Sequence, residues 1–271
     1  MNNKYLVVSS DDFGMTSSVN EGIRLAHMRG VLSSTNFMVP CPWFEHAVEL
    51  SRQMGIDIGV HLTLTGEWRN FRWRPLTGRT SLCDSSGYFY SSIKDMMKNS
   101  KRRDIMAECR AQINEVQSRK IPLAYIDLHM CIPSVSGVLP NTDFELDIMS
   151  IVTELAQEYQ IPYAYELKDK KLRYFDSGLS ISSKSRSAVN DYLKSLREGV
   201  HHLSCHCAVD SYEQSTLASL DDENFPWASV YRRNDMRLIL SDWFSEMIER
   251  YKITIIKDHF CRHKSKVAQS A

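Results

Sequence analysis

Short apolar runs and longer amphipathic stretches alternate along most of the chain. "KYLVVSS" reads as a buried strand. "VNEGIRLAHMR" has helical spacing, opened by Ser18-Val19-Asn20-Glu21 with capping-box spacing and closed by Gly30. "VLSSTNFMVP" predicts a second strand, "WFEHAVELSRQM" a helix ended by Gly55, and "IDIGVHLTLT" a third strand. The rhythm continues with helix "RDIMAECRAQINEVQS" and strand "LAYIDLHM", then helix "FELDIMSIVTELAQEY" and strand "IPYAYE". Helix "SAVNDYLKSLRE" precedes strand "VHHLSCHCA", and helix "MRLILSDWFSEMIERY" precedes "ITIIKDH". About seven strands with helices between them predict βα units and a parallel sheet, closed into a barrel or left open.

Two segments break the rhythm. Residues 66–100 hold "GEWRNFRWRPLTGRTSLCDSSGYFYSS", and residues 167–187 hold "LKDKKLRYFDSGLSISSKSRS". Both are expected to be long loops at one end of the sheet, where long loops are usually functional. A chain of 271 residues fits one domain, 1–271, of this kind.

Ligands in parallel α/β folds bind beyond the carboxyl ends of the strands. Here those ends are polar: Asp11 and Asp12 after the first strand, His61 in the third, Asp127 and His129 in "YIDLHM", and His206 in "LSCHCA". Taken singly, a strand histidine is more often a hydrogen-bonded core residue, and an Asp pair can be a helix cap and its neighbour. Together they imply mutual partners or a metal, because an unpartnered buried polar group costs about 2–7 kcal/mol. One carboxylate and two imidazoles suit a divalent ion with positions left open for water and substrate. Neighbours in an extended segment face opposite ways, so Asp11 and Asp12 are expected to take different tasks. Cys205 and Cys207 flank His206 and by the same alternation face away from it. His201, His202, His27 and His46 are expected to be structural or exposed.

In "GEWRNFRWRP", Trp68 and Trp73 are candidate platforms for a sugar face, with a lid packed onto the protein as the alternative. Lys+Arg and Asp+Glu are equal at 33 each, which argues against nucleic acid or an anionic membrane as partner. The N-terminus is expected to be a first strand, not a signal peptide, and no apolar run approaches a membrane span. Seven cysteines without a C-x-x-C pair fit free thiols in a reducing cytoplasm. Nothing specifies oligomeric state, and a homodimer would be unsurprising.

"VSSDDFG", "NEGIRLAHMRGVLSSTNFMV", "FEHAVELSRQ", "DIGVHLTLTGEW", "YIDLHM" and "LSCH", in this order, resemble the YdjC-like family of metal-dependent carbohydrate deacetylases, which includes chitooligosaccharide deacetylases. The resemblance implies a distorted (β/α) barrel related to the polysaccharide deacetylase barrel. It implies a divalent metal on Asp12, His61 and His129, with magnesium usually named; the imidazoles would also suit Zn²⁺, Co²⁺ or Mn²⁺. Asp11 then resembles the catalytic base and His206 the general acid. The implied reaction is removal of an N-acetyl group from an amino sugar or a short N-acetylglucosamine oligosaccharide.

Asp127 could accept a hydrogen bond from a ligand histidine, and Arg233 could orient a substrate or carboxylate. The sequence departs from the family where Met130 and Cys131 replace a further histidine, and where Cys207-Ala208 replaces Pro-Gly. Rival expectations are another metal hydrolase on this scaffold, such as a phosphoesterase, and a sugar-binding protein that has lost catalysis.

Overall fold

The computed structural model describes residues 4–131, 143–164, 181, 185–219 and 227–256. It begins with strand β1 (Lys4–Phe13), helix α1 (Ser17–Met28), β2 (Ser34–Phe37), α2 (Phe44–Met54) and β3 (Asp57–Leu62). Helices α3 (Ile93–Asn99) and α4 (Arg102–Ser118) lead to β4 (Tyr125–Leu128), followed by α5 (Asp143–Tyr159), α6 (Arg186–Ser195) and β5 (Gly199–Cys205). A short α7 (Tyr212–Thr216), a π-type turn (Trp227–Tyr231), α8 (Arg232–Ile239), α9 (Asp242–Arg250) and β6 (Ile253–Ile255) complete it.

The described strands form a parallel sheet in the order β4-β3-β2-β1-β5. Residues 161–164 extend it beyond β4, where Ile126 N–H donates to Pro162 O and Ala164 N–H donates to Ile126 O, both at 2.9 Å. β1 is central, and two neighbours share one of its edges. Leu6 O accepts from Ile256, just after β6, while Val8 O accepts from Ser33, just before β2.

The sheet is curled into a half-barrel. Val7 of β1, Tyr125 of β4 and Val200 of β5 pack in one small cluster, although β4 and β5 stand at opposite ends of the strand order. The Tyr125 hydroxyl crosses this inner face to donate to Thr35 O at 3.0 Å. Gly59 leaves room for that ring: a Cβ there would lie 2.4 Å from it. The larger core lies on the outer face, between the sheet and its helices. Strands buried on both faces explain the near-continuous apolar run at the start of β1.

Strand parity then selects the functional face. Paired residues of parallel neighbours share a face, so Val7, Ser9 and Asp11 line the interior with Gly59 and His61, Tyr125 and Asp127, and Val200, His202 and Ser204. The bulky apolar members fill the bottom, and the polar members sit toward the carboxyl ends.

Several expected boundaries move. The cap of α1 is Thr16, whose Oγ1 accepts from Val19 N–H at 3.1 Å; Ser18 instead bonds Ser211 and Glu213 across the fold. Residues 66–100 end in α3, capped by Ser92, and are not loop throughout. The single helix expected over "MRLILSDWFSEMIERY" is two, because Ser241 caps α9 through Phe244 N–H. The expected loop 167–187 lies mostly outside the described residues; 185–187 cap and open α6.

α1 meets the chain just past β5 at Gly22. A Cβ at that position would lie 2.7 Å from Ala208 Cα and 2.9 Å from the Cys207 carbonyl carbon. Backbone cannot swing aside as a side chain can, so Gly22→Ala should destabilise the fold by about 1–3 kcal/mol. Urea denaturation checks this, and an unchanged midpoint would show that residues 207–208 yield to the new methyl.

Candidate metal centre

β1 does not stay regular to its end. Ser10 pairs with Thr35 and Phe13 with Phe37, so β1 carries one extra residue between these pairs. The irregularity is a bulge in which Asp12 adopts φ +73°, a left-handed conformation unusual for a side chain other than glycine. This corrects the alternation expected for the aspartates. Parity alone would send Asp12 outward, whereas the bulge turns it to the same end as Asp11.

Asp12 Oδ1 lies 3.5 Å from His61 Nε2 and 3.4 Å from His129 Nδ1. One ligand atom from each of these residues falls within 4.8 Å of those of the other two, and all three residues are buried. Oδ1 has no hydrogen-bond partner. A buried carboxylate oxygen without a donor, facing two ring nitrogens, is what a cation site requires, and the residues fit a divalent metal. The other oxygen, Oδ2, accepts from Arg232 Nη2 at 2.6 Å.

Three further groups brace the triad. His61 Nδ1 lies 3.2 Å from Asp127 Oδ2, beside the ring as expected but without forming the expected hydrogen bond. His129 Nε2 lies 3.0 Å from Glu67 Oε2. Asn36 Nδ2 donates to Asp11 Oδ1 at 2.8 Å and Asp127 Oδ2 at 3.0 Å, while its Oδ1 accepts from Asp12 N–H at 3.3 Å. Asp11 is therefore joined to the triad through one amide. A second grouping, Asp11, His61 and Asp127, also brings ligand atoms together, but it uses His61 again.

His206 follows β5 and continues its inward parity. Its backbone N–H donates to Asp235 Oδ2 at 2.8 Å, and its Nδ1 lies 3.8 Å from the same oxygen. The Cys207 N–H donates to Ser10 Oγ at 3.0 Å and Val209 N–H to Ser18 O at 3.0 Å, so the turn past His206 is pinned despite lacking Pro-Gly. Cys205 and Cys207 are both buried, with sulfurs 3.8 Å apart.

The charges are not independent. Burial pushes the Asp11 carboxyl up; His61 opposes this and Asp127 adds to it. Burial would also raise Asp12, but the Arg232 guanidinium and His129 outweigh it and hold Asp12 well below the usual carboxylate range. For His129, burial disfavours the charge, yet Glu67 and Asp12 lift the ring to about 10. His206 is likewise opposed by burial and raised overall by Asp235 and Asp12.

Three expected substrate contacts are corrected. Trp68 and Trp73 are 1% and 3% exposed, so neither ring offers a face to a sugar. Trp73 Nε1 donates to Thr65 O at 3.0 Å, and Trp68 lies beneath Arg232, with Cζ 5.9 Å from its ring centroid. Arg233 points to Asp210 near the surface. Its neighbour Arg232, 3% exposed and first in α8 after the π-type turn, is the arginine of the site. Asn36, Glu67, Arg232 and Asp235 were not singled out from sequence. Asn36, a polar residue within the buried strand "STNF", gave a usable signal.

No helix among the described residues is long and apolar enough to cross a membrane. Comparison with known proteins gives a consistent likeness. A carbohydrate deacetylase from Vibrio cholerae is 33% identical over 163 residues, covering 58% of this chain and 57% of the relative. The chain thus spans a little over half the length of that curated relative. One from Vibrio campbellii is 29% identical over 224 residues, covering 76% of this chain and 80% of the relative. A crystal structure from Enterococcus faecalis, described as that of a proposed cellobiose-phosphate cleavage protein, is 26% identical with a TM-score of 0.68. It covers 94% of this chain and 97% of its own. The profile of the YdjC-like protein family matches residues 5–250, and the chain belongs to that family.

Proposed function

We propose that this protein is a metal-dependent hydrolase that removes N-acetyl groups from an amino sugar or a short N-acetylglucosamine oligosaccharide. The observation that carries the reading is the unpartnered buried oxygen of Asp12 facing His61 and His129, with Asp11 alongside. The name carbohydrate deacetylase, borne by relatives from several bacteria, supports the choice of substrate class.

Asp12, His61 and His129 would hold the metal. A divalent ion bound there supplies Lewis-acid polarisation of the acyl oxygen and a lowered pKa for water. Magnesium is the ion the family resemblance suggests, and the two imidazole donors would also suit Zn²⁺, Co²⁺ or Mn²⁺.

Asp11 takes the proton from water as it attacks the acetamide carbon. Burial and the neighbouring Asp127 charge make it a stronger base than an exposed aspartate. Asn36 holds Asp11 Oδ1 in place and so fixes the direction of the carboxylate. His206 delivers a proton to the leaving amine, which without it is a poor leaving group. Its raised pKa keeps that proton available above the ordinary histidine range. The burial of Trp68 and Trp73 means that other groups must contact the sugar.

Acetate release from N-acetylglucosamine, its short β-1,4 oligomers and its 6-phosphate tests this reading. The protein would be stripped by chelation and resupplied separately with Mg²⁺, Mn²⁺, Co²⁺ or Zn²⁺. Activity should vanish on stripping and return with metal, and the absence of acetate in every combination would sink the proposal. Asp11→Asn should keep metal binding yet lose about 10²–10⁴-fold in turnover, whereas Asp12→Ala should lose the metal as well. The acid must be protonated to act, so activity falls as pH rises through the pKa of His206. Asp235→Asn removes a group that raises this pKa, so the alkaline limb of the pH–rate profile should move to lower pH. A limb that stays in place would dismiss His206 as the acid.

A further inference from the structure

The Glu67 contact reaches beyond the ligand set. Glu67 sits just past β3, where the chain enters its long excursion, and both sides of it are clamped. On one side Thr63 is bracketed by buried Gln112, which accepts from its N–H at 2.9 Å and donates to its carbonyl at 2.8 Å. Trp73 holds Thr65 O, and Gly66 N–H donates to Tyr90 O at 2.9 Å. On the other side Trp68 bridges to Ser219, and Arg69 N–H donates to Ala218 O at 2.8 Å. A carboxylate on so constrained a backbone does not simply follow its partner.

That partner is the ring whose other nitrogen faces Asp12. His129 Nε2 is 3.0 Å from Glu67, and Nδ1 is 3.4 Å from Asp12 Oδ1. His61 has the reverse arrangement, with Nδ1 3.2 Å from Asp127 and Nε2 3.5 Å from Asp12 Oδ1. A neutral imidazole ligates through the nitrogen that carries no proton, and a carboxylate on the other nitrogen keeps the proton there. Glu67 is hydrogen-bonded to His129 Nε2 and so leaves Nδ1 for a metal, whereas His61 Nδ1 lies near Asp127 without a hydrogen bond and His61 presents Nε2 to Asp12 by ring orientation.

We infer that Glu67 is a positioning residue that makes His129 a metal ligand through Nδ1, while His61 ligates through the Nε2 it turns to Asp12. The inference rests on the metal-site reading above and names what sets the tautomer of His129. Trp68, the next residue, packs against Arg232, which grips Asp12 Oδ2. Adjacent residues thus brace two of the three ligands, which accounts for a buried tryptophan where a sugar platform was expected.

The test uses Zn²⁺, which is diamagnetic, on the full-length protein with ¹⁵N-labelled histidine. Long-range ¹H–¹⁵N spectra of the Zn²⁺-loaded wild type should show one ring ligated through Nδ1 and one through Nε2. His129→Gln identifies the Nδ1-ligated ring by its disappearance. By calorimetry, Glu67→Ala should weaken Zn²⁺ binding about 10- to 100-fold and lose the Nδ1-ligated signature. Glu67→Gln, which keeps an acceptor oxygen but no charge, should restore the signature and part of the affinity. Both rings ligated through Nε2 in the wild type would overturn the inference. So would Glu67→Ala with unchanged affinity and spectrum, even if its thermal midpoint fell, because a purely structural role predicts that pattern. Wild-type protein that takes up no Zn²⁺ would overturn this inference and the metal site together.

Discussion

The ion pair between Arg232 and Asp12 joins residues 220 positions apart and fixes the end of the central strand. Both partners are almost fully buried. Withdrawing two such charges from water costs several kcal/mol each, so either one alone would be strongly unfavourable. Asp12 also sits in a left-handed conformation, a strain of roughly 1–3 kcal/mol for a non-glycine residue. Three contacts hold it there: Arg232 on Oδ2, Asn36 on its N–H, and Met15 N–H on its carbonyl at 3.0 Å. The result is an aspartate whose other oxygen, Oδ1, takes no hydrogen bond and faces only the rings of His61 and His129.

From that bend the rest of the site follows by strand parity and charge. Asp11, His61, Asp127 and His206 reach the same end because their strands present alternate residues to the inner face. The carboxylates of Asp11, Asp12, Asp127, Glu67 and Asp235 converge there, opposed by Arg232 and by histidines. Two of those histidines, His129 and His206, are raised as a consequence. The surroundings that lift His129 to about 10 are those that would favour a dication in its vicinity. The fit of the site for a cation and the basicity of its histidines are therefore two expressions of one excess of negative charge.

The sequence disclosed what depends on local pattern. The apolar start of β1, the helix ended by left-handed Gly55, and the polar residues at the ends of β1, β3, β4 and β5 were all visible in single runs. It concealed what depends on partners far along the chain. Thr16 caps α1 while Ser18, with the better-looking spacing, is drawn to Ser211 and Glu213. Arg232 and Arg233 are adjacent and chemically identical, and their distant partners, Asp12 for one and Asp210 for the other, distinguish the buried one. The tryptophans suited a sugar platform by type, yet packing placed them in the core. Glu67 and Asp235 were ordinary surface-type residues until their histidine partners were seen.

Where Cys207-Ala208 stands in place of Pro-Gly, the chain holds His206 in place by other means. Proline at position 207 could donate no backbone hydrogen bond; Cys207 donates one to the Ser10 hydroxyl of β1. The next residue is held from the other side, where Gly22 of α1 brings the helix onto the Ala208 backbone. Cys205 and Cys207 turn their sulfurs away from the inner face and bury them together, Cys205 against Ser9 O. His206 is thus anchored between β1, which carries the aspartates, α1 and Asp235. A backbone that orients His206 through the strand carrying Asp11 ties their relative placement to the fold itself. The identity of residues 207 and 208 then matters less than their contacts with Ser10 and Gly22.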